Sequence, residues 1–346
     1  MEAKNILVAF GGERDCDPDL DGEATGAHKV LDDIMVFDVE FFLWYPPAAT
    51  GKPPNPRAGH SACLMGSNHN ADLVDLVIFG GTTSAGKLLS RTCRFFKLSN
   101  EDIVFQSAGR RWENSVHVLN CNLWEWSVPK VQGKAPCART YHSATPIDGG
   151  RRMVIFGGNS DSRCFNDVYV LSVNNEASKT SSRACWEWSR PHVLGDAPLP
   201  RTGHGACLLA DGKTIFVHGG WDPQDETKDE VTYYSDAFLL DTELWDWKPV
   251  ELVDVDVSAM AVMSPCVKKC KVQDSKKALL KVEYTVAPIN QNTSQESILR
   301  SGWTGHSVES GKVIDKENSS TIVLYGGQGG NNSDRRTEMC VCRIWF

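Results

Sequence analysis

Leu76-Val77-Ile78-Phe79-Gly80-Gly81 decides how the rest of the chain is read. Apolar residues of β-branched and aromatic type in an unbroken run read as a strand buried on both faces. The paired glycines at its end allow a sharp exit and close approach of another backbone. The pattern returns at Phe10-Gly11-Gly12, Phe156-Gly157-Gly158, His218-Gly219-Gly220 and Tyr325-Gly326-Gly327, each after its own apolar run. Five copies along one chain point to a repeat architecture, in which a single unit cannot bury its faces without neighbours.

A second element precedes four of these runs. It reads Arg57-Ala58-Gly59-His60, Arg139-Thr140-Tyr141-His142, Arg201-Thr202-Gly203-His204 and, with Trp in the first place, Trp303-Thr304-Gly305-His306. Its small residues suit a strand where space is tightest. A third element follows each Gly-Gly, as in Asp33–Asp38, Ser115–Asn120, Asp167–Leu171 and Asp236–Asp241, and more weakly at Glu338–Cys342. Trp44, Trp126, Trp188 and Trp247 then close four units. Each unit therefore holds four short strands, a to d, with a large aromatic on the last. That is one blade of a β-propeller.

The double glycine, the Arg-x-x-His strand and the spaced Trp, recurring in register, resemble the kelch-repeat family. The resemblance runs from about residue 5 to the end. It implies an all-β, kelch-type β-propeller occupying residues 1–346 as a single domain, with five recognisable blades. The intervals between successive Gly-Gly pairs exceed the usual kelch unit of about 50 residues. The excess lies in insertions near 82–113, 174–184 and 251–300. The last stands between the fourth and fifth recognisable blades, and its Ala278–Val286 stretch is a candidate strand of a hairpin or a sixth, degenerate blade. The first blade begins at strand b and the last stops at strand c. This leaves the propeller incomplete at both termini, as expected of a piece of a longer chain or of a five-blade ring with an imperfect seam.

Composition narrows the function classes. The 346 residues are 41% hydrophobic, enough for a real core, and carry a formal charge of −8. That balance offers no general attraction to nucleic acid or anionic lipid. No apolar run reaches the roughly 18 residues of a membrane span, and the short apolar start has no signal-peptide cleavage site. Twelve scattered cysteines, several inside strand-like runs, read as reduced buried thiols of a cytoplasmic or nuclear protein.

Up-and-down strand order puts the b–c and d–a loops on one face, where all the long insertions except 174–184 emerge. Loops on a rigid scaffold are where binding usually lies. Arg57, Arg139 and Arg201 head the innermost strands, and repeat symmetry aims them at the channel mouth on that face. Converging guanidinium groups suit capture of a carboxylate. Kelch substrate receptors of ubiquitin ligases use arginines at this mouth, so the resemblance implies a similar use. No BTB or F-box-like region is attached, so a ligase link would need a separate adaptor. The alternative is that each arginine satisfies backbone carbonyls at a blade junction. Arg110, Arg111 and Trp112 form a second candidate, a basic-aromatic cluster in the second blade's long loop, of the kind that anchors interfaces.

Histidines 60, 142, 204 and 306 recur once per blade and read as structural. Asp15, Asp17, Asp19, Asp21 and Glu23 form an acidic loop that matches the start of a calcium loop. It lacks the closing Glu, since His28 stands there, and reads as solvated. Cys266-x-x-x-Cys270 has no partner pair for zinc. Neither a sialidase Asp-box, nor the Glu-x-x-x-Asp-x-x-x-His of iron-dependent specifier proteins, nor a phosphate loop is present. The expected function is a non-enzymatic scaffold or substrate-recognition adaptor. It would bind a protein or peptide partner through the long-loop face, without cofactor, nucleic acid or membrane, and the ligand class is an acidic or C-terminal carboxylate segment. The alternative is a metal-dependent propeller enzyme.

Overall fold

The computed structural model describes residues 6–16, 28–66, 74–84, 110–174, 185–224, 233–254, 280–287, 305, 307–311, 319–325 and 339–345. The acidic residues 17–23 and the copy at 303–306, apart from Gly305, lie outside them. Contacts cluster into two compact units. One holds Met1–Met153, Asn159–Arg163 and Tyr169–Ser189; the other holds Val154–Gly158, Cys164–Val168 and Arg190–Phe346.

The architecture is all-β apart from one 3-10 turn among the described residues. Strands β1 (Ile6–Asp15), β2 (His28–Asp38) and β3 (Leu43–Tyr45) form the first sheet, which supplies strands b, c and d of the first blade. The second sheet is built from β4 (Thr50–Gly51), β5 (Ser61–Gly66), β6 (Val74–Phe79), β9 (Val116–Asn120) and β10 (Glu125–Ser127), in the order β4-β10-β9-β6-β5. Between β6 and β9, a separate two-stranded ribbon joins β7 (Thr82–Ser84) to β8 (Arg110–Trp112). The third sheet repeats the second with β11 (Val131–Gln132), β12 (Ser143–Ile147), β13 (Arg152–Phe156), β14 (Val168–Asn174) and β15 (Cys185–Ser189), in the order β11-β15-β14-β13-β12.

The runs of the second and third sheets, β6 and β13, are the second strands from one edge and are buried on both faces, whereas β1 is an edge strand with Leu7 exposed. Leu76 to Phe79 and Met153 to Phe156 are at most 4% exposed. The turn from strand c to strand d explains the regular spacing to the tryptophan. The side chains of Asp38, Asn120 and Asp241 each accept two backbone N–H groups, from the residues two and three positions later. The chain then passes through a left-handed residue, Phe42, Trp124 or Trp245, at φ near +53°.

The strand pattern a to d does not foresee the short strands β4 and β11. Each leaves strand d of one blade and pairs in parallel with strand d of the next, Thr50–Gly51 with Glu125–Trp126 and Val131–Gln132 with Trp186–Glu187. In the second unit, β16 (Leu194–Gly195) does the same with Asp246–Trp247 of β20 (Asp246–Asp254). Gly51, Gly133 and Gly195 take φ of 78° to 81°, and a Cβ on any of them would stand 2.2 Å from the carbonyl oxygen of Trp126, Trp188 or Trp247.

The second unit also holds β17 (Gly205–Leu208), β18 (Thr214–His218) and β19 (Ala237–Asp241). They are followed by β21 (Leu280–Ala287), β22 (Ser307–Gly311), β23 (Ser319–Tyr325) and β24 (Met339–Trp345). Strand β21 confirms a strand in the 278–286 stretch. It pairs antiparallel with β24 and parallel with the end of β20. It therefore lies beside the third strand of the last blade, in the strand d position, and reaches it from upstream of that blade's other strands.

Candidate functional site

The blade junctions explain why Gly-Gly and Arg-x-x-His occur together. The backbone of each arginine is clamped to the preceding blade. Arg57 N–H donates to Leu31 and its carbonyl accepts from Gly12 at 2.8 Å; Arg139 does so with Glu113 and Gly81, and Arg201 with Phe165 and Gly158. This presses the strand onto the first glycine of each pair. A Cβ at Gly11, Gly80 or Gly157 would lie 2.8 Å from the arginine carbonyl oxygen and 2.7–3.1 Å from Cε1 of the following histidine. The histidine ring then packs edge-on to the phenylalanine before the glycines, His60 on Phe10, His142 on Phe79 and His204 on Phe156, with centroids 5.0–5.5 Å apart. The strand d tryptophan covers the same phenylalanine: Trp126 on Phe10, Trp188 on Phe79 and Trp247 on Phe156. His60, His142 and His204 thus pack their junctions, and burial with the nearby Arg57 charge pulls His60 down to about 4.

The arginine side chains are enclosed at these junctions. Arg57 is 1% exposed, and Arg139 and Arg201 are 0% exposed. Arg57 donates through Nη1 to the Gly80 carbonyl at 2.9 Å and to Ser115 Oγ at 3.3 Å, and through Nε to the Asn55 carbonyl. Arg139 donates Nε to the Cys137 carbonyl and lies over the Tyr169 ring. Arg201 donates to the Leu199 and Gly219 carbonyls and forms a bidentate pair with Asp236 at 2.7 and 3.0 Å, with its guanidinium 4.5 Å from the Tyr234 ring centroid. Arg57 and Arg139 stand at junctions of the first unit and Arg201 at one of the second. Their partners include carbonyls, a hydroxyl and a carboxylate of their own chain, the arrangement set above beside carboxylate capture.

Arg110, Arg111 and Trp112 sit differently. The structure makes them a strand, paired Arg110 to Ser84, Arg111 to Thr83 and Trp112 to Thr82. The base of this ribbon is fixed by reciprocal bonds between Ala58 and Thr82 and by Glu113 N–H on the Gly81 carbonyl. Arg110 reaches across to the first blade and pairs with Glu13 at 2.8 Å. The Arg111 side chain is 75% exposed and touches Glu113 at 3.5 Å. Trp112 is half-buried, and its indole N–H is enclosed without an acceptor among the described residues. The ribbon thus holds one solvent-facing guanidinium on a braced support.

Among the described residues no group of three or more His, Cys, Asp or Glu side chains is placed to hold a metal ion. Cys16, Cys63, Cys121, Cys137, Cys164, Cys185 and Cys207 form no disulfide, and burial pushes the Cys63 thiol up to about 12. No helix of the described residues is long and apolar enough to cross a membrane.

Repeated antiparallel sheets, joined by short parallel strands from the blade before and meeting at Gly-Gly and Arg-x-x-His junctions, define a kelch-type β-propeller protein. The chain matches the KLHDC2/KLHL20/DRC7 Kelch-repeats domain over residues 1–271 and belongs to that family. It is similar to Kelch domain-containing protein 2 of Bos taurus, 27% identical over 192 residues, covering 55% of this chain and 36% of the relative. Acyl-CoA-binding domain-containing protein 4 of Arabidopsis thaliana is 30% identical over 198 residues, covering 57% and 23%. The human Rab9 effector protein with kelch motifs is 27% identical over 205 residues, covering 51% and 52%. The chain therefore spans about a quarter to a half of the length of these relatives. The solved structure of YjhT superposes with a TM-score of 0.52 at 13% identity, over 96% of this chain and 77% of that one, a likeness of fold alone. Kelch-repeat domains are in general protein-binding scaffolds.

Proposed function

We propose that this chain is a non-enzymatic recognition module that binds an acidic or C-terminal carboxylate segment of a partner protein at the β7–β8 ribbon. The observation that carries the reading is the exposed Arg111 on a strand braced by the Arg110–Glu13 pair and the Ala58–Thr82 bridge. A charged side chain on a fixed support loses less freedom on binding than one on a loose loop. Arginine adds a planar fork matched to carboxylate oxygens. Arg110 and Trp112 position the ribbon. Arg57 and Arg139 act one step back, by holding the blades that carry it, and Arg201 holds a junction of the second unit. The carboxylate class expected from the sequence is kept, and its receptor moves from the strand heads to the ribbon.

The test is selection from a random twelve-residue peptide library on the full chain. Enriched peptides are expected to be rich in Asp and Glu or to need a free C-terminal carboxylate. Their binding should fall at least about tenfold in Arg111→Glu. Enrichment of peptides indifferent to both carboxylates and Arg111 would sink the reading.

A further inference from the structure

Five non-glycine residues of the described chain have positive φ. Phe42, Trp124 and Trp245 recur at one place in the c–d turn, and Asp148 lies in a tight turn. Tyr141 belongs to neither group. It stands third in the second element, where the other copies carry Gly59, Gly203 and Gly305 at φ of 64°, 64° and 66°. Tyr141 takes φ of 50° with a full side chain. The position demands a left-handed backbone, which glycine adopts without strain and a β-carbon resists.

What the tyrosine provides there is exposed aromatic surface. Tyr141 is 46% exposed, although the residues on either side, Thr140 and His142, are buried. Its N–H donates to the Gly59 carbonyl at 2.8 Å, and its ring edge borders Gly59, 3.1 Å from an ideal Cβ position that Thr140 Oγ1 already crowds at 2.0 Å. Gly59 follows Ala58, the residue bridged to Thr82 at the foot of the ribbon. Two residues before Tyr141, Arg139 N–H donates to the Glu113 carbonyl, next to Trp112. The ring and the ribbon are thus tied to the same few backbone bonds of the first unit. Strained backbone that the surroundings enforce concentrates at ligand sites, and a rigid amphipathic tyrosine is a favoured contact residue.

We infer that Tyr141 is a ligand-contacting residue of the ribbon site, kept in a glycine position to lay an aromatic face under the peptide whose carboxylate Arg111 takes. This rests on the ribbon reading. It adds a requirement to the ligand class: an apolar or aromatic side chain near the carboxylate, to lie on the ring.

The probe is the set of library peptides whose binding Arg111→Glu abolishes, measured by fluorescence anisotropy on the full chain. Tyr141→Asn keeps a residue that tolerates the left-handed region, so it is expected to melt within about 2 °C of wild type. It should bind these peptides at least about tenfold more weakly. Tyr141→Phe keeps the ring and is expected to bind within about threefold of wild type. Wild-type affinity in Tyr141→Asn would overturn the inference and leave the ribbon reading standing. A library that yields no Arg111-dependent peptide would overturn the ribbon reading, and the inference with it.

Discussion

Arg57 and Arg111 belong to the same blade and do opposite things. Arg57 is 1% exposed and spends its guanidinium on the Gly80 and Asn55 carbonyls and Ser115. The Arg111 side chain is 75% exposed, with Glu113 at 3.5 Å. An arginine repeated at three blade junctions answers a need repeated with them, which is to satisfy backbone carbonyls such as those of Gly80 and Gly219 where the chain leaves the double glycine. An arginine outside the repeat has no such duty. Repetition therefore marks what builds the scaffold, and departure from repetition marks where function is to be sought. Tyr141 in a glycine place follows the same rule.

The junction half of this contrast breaks most sharply at its glycines. Gly80→Ala adds a left-handed β-carbon and drives it against the Arg139 carbonyl oxygen and His142 Cε1, both at 2.8 Å. A loss of about 2–4 kcal/mol is expected in denaturant unfolding. Gly12→Ala serves as the control, because its φ is also positive but nothing lies within 4 Å of its Cβ. It should lose only the backbone part, about 1–2 kcal/mol. Equal losses at the two sites would remove the close-approach account.

Acid tests the same junctions through the histidines. Burial holds His60 at about 4 and His218 at about 3, below the unfolded value of 6.5. Between these values the unfolded chain binds protons that the folded chain refuses. Stability is then full above pH 6.5 and falls as pH drops towards 4. The His60 share is on the order of 3 kcal/mol. Unfolding free energy measured from pH 7 to 4 should decline less steeply in His60→Asn than in wild type. Parallel profiles would show that His60 is not held neutral.

Arg201 sharpens the distinction between holding and binding. Its pair with Asp236 has the arginine side chain at 0% exposure and the carboxylate at 41%. With one partner in water, Arg201→Met should cost about 2 kcal/mol, less than a fully buried pair. The double variant Arg201→Met, Asp236→Asn should recover part of that loss, and strict additivity in the double-mutant cycle would mean the two side chains do not interact. At the small end, Arg111→Glu should move stability by less than about 0.5 kcal/mol.

The framework of the fold was legible because its signals are long or repeated. Phe79-Gly80-Gly81 and its relatives announce buried strands, and Trp126, Trp188 and Trp247 announce strand d. What escaped was short or non-local. The two-residue strands at Gly51, Gly133 and Gly195 carry no periodicity, although each glycine lies six residues before Arg57, Arg139 or Arg201, and a proline, Pro54, Pro136 or Pro198, lies three before it. That spacing was available as a signal. The burial of the three arginines was not, since a pattern gives the face of a strand and not the carbonyl a side chain will meet. Arg110–Trp112 read as a loop because a three-residue strand acquires its partner, Thr82–Ser84, from across a long insertion. Strand β21 read as a strand, but its place beside β24 is set by pairing over more than 50 residues. Tyr141 was visible as a break in Arg-x-Gly-His, and only the backbone angle gives the break a meaning.

The account stands on a separation between arginines that hold and an arginine that binds. The most direct measurement pairs melting temperature with affinity for an Arg111-dependent library peptide, in Arg57→Lys and in Arg111→Glu. Lysine cannot reproduce the fork of bonds that Arg57 makes, so Arg57→Lys should melt lower and bind the peptide as wild type does. Arg111→Glu should melt as wild type and lose binding at least about tenfold. Loss of binding in Arg57→Lys at an unchanged melting temperature, with Arg111→Glu binding normally, would contradict it and return recognition to the heads of the inner strands.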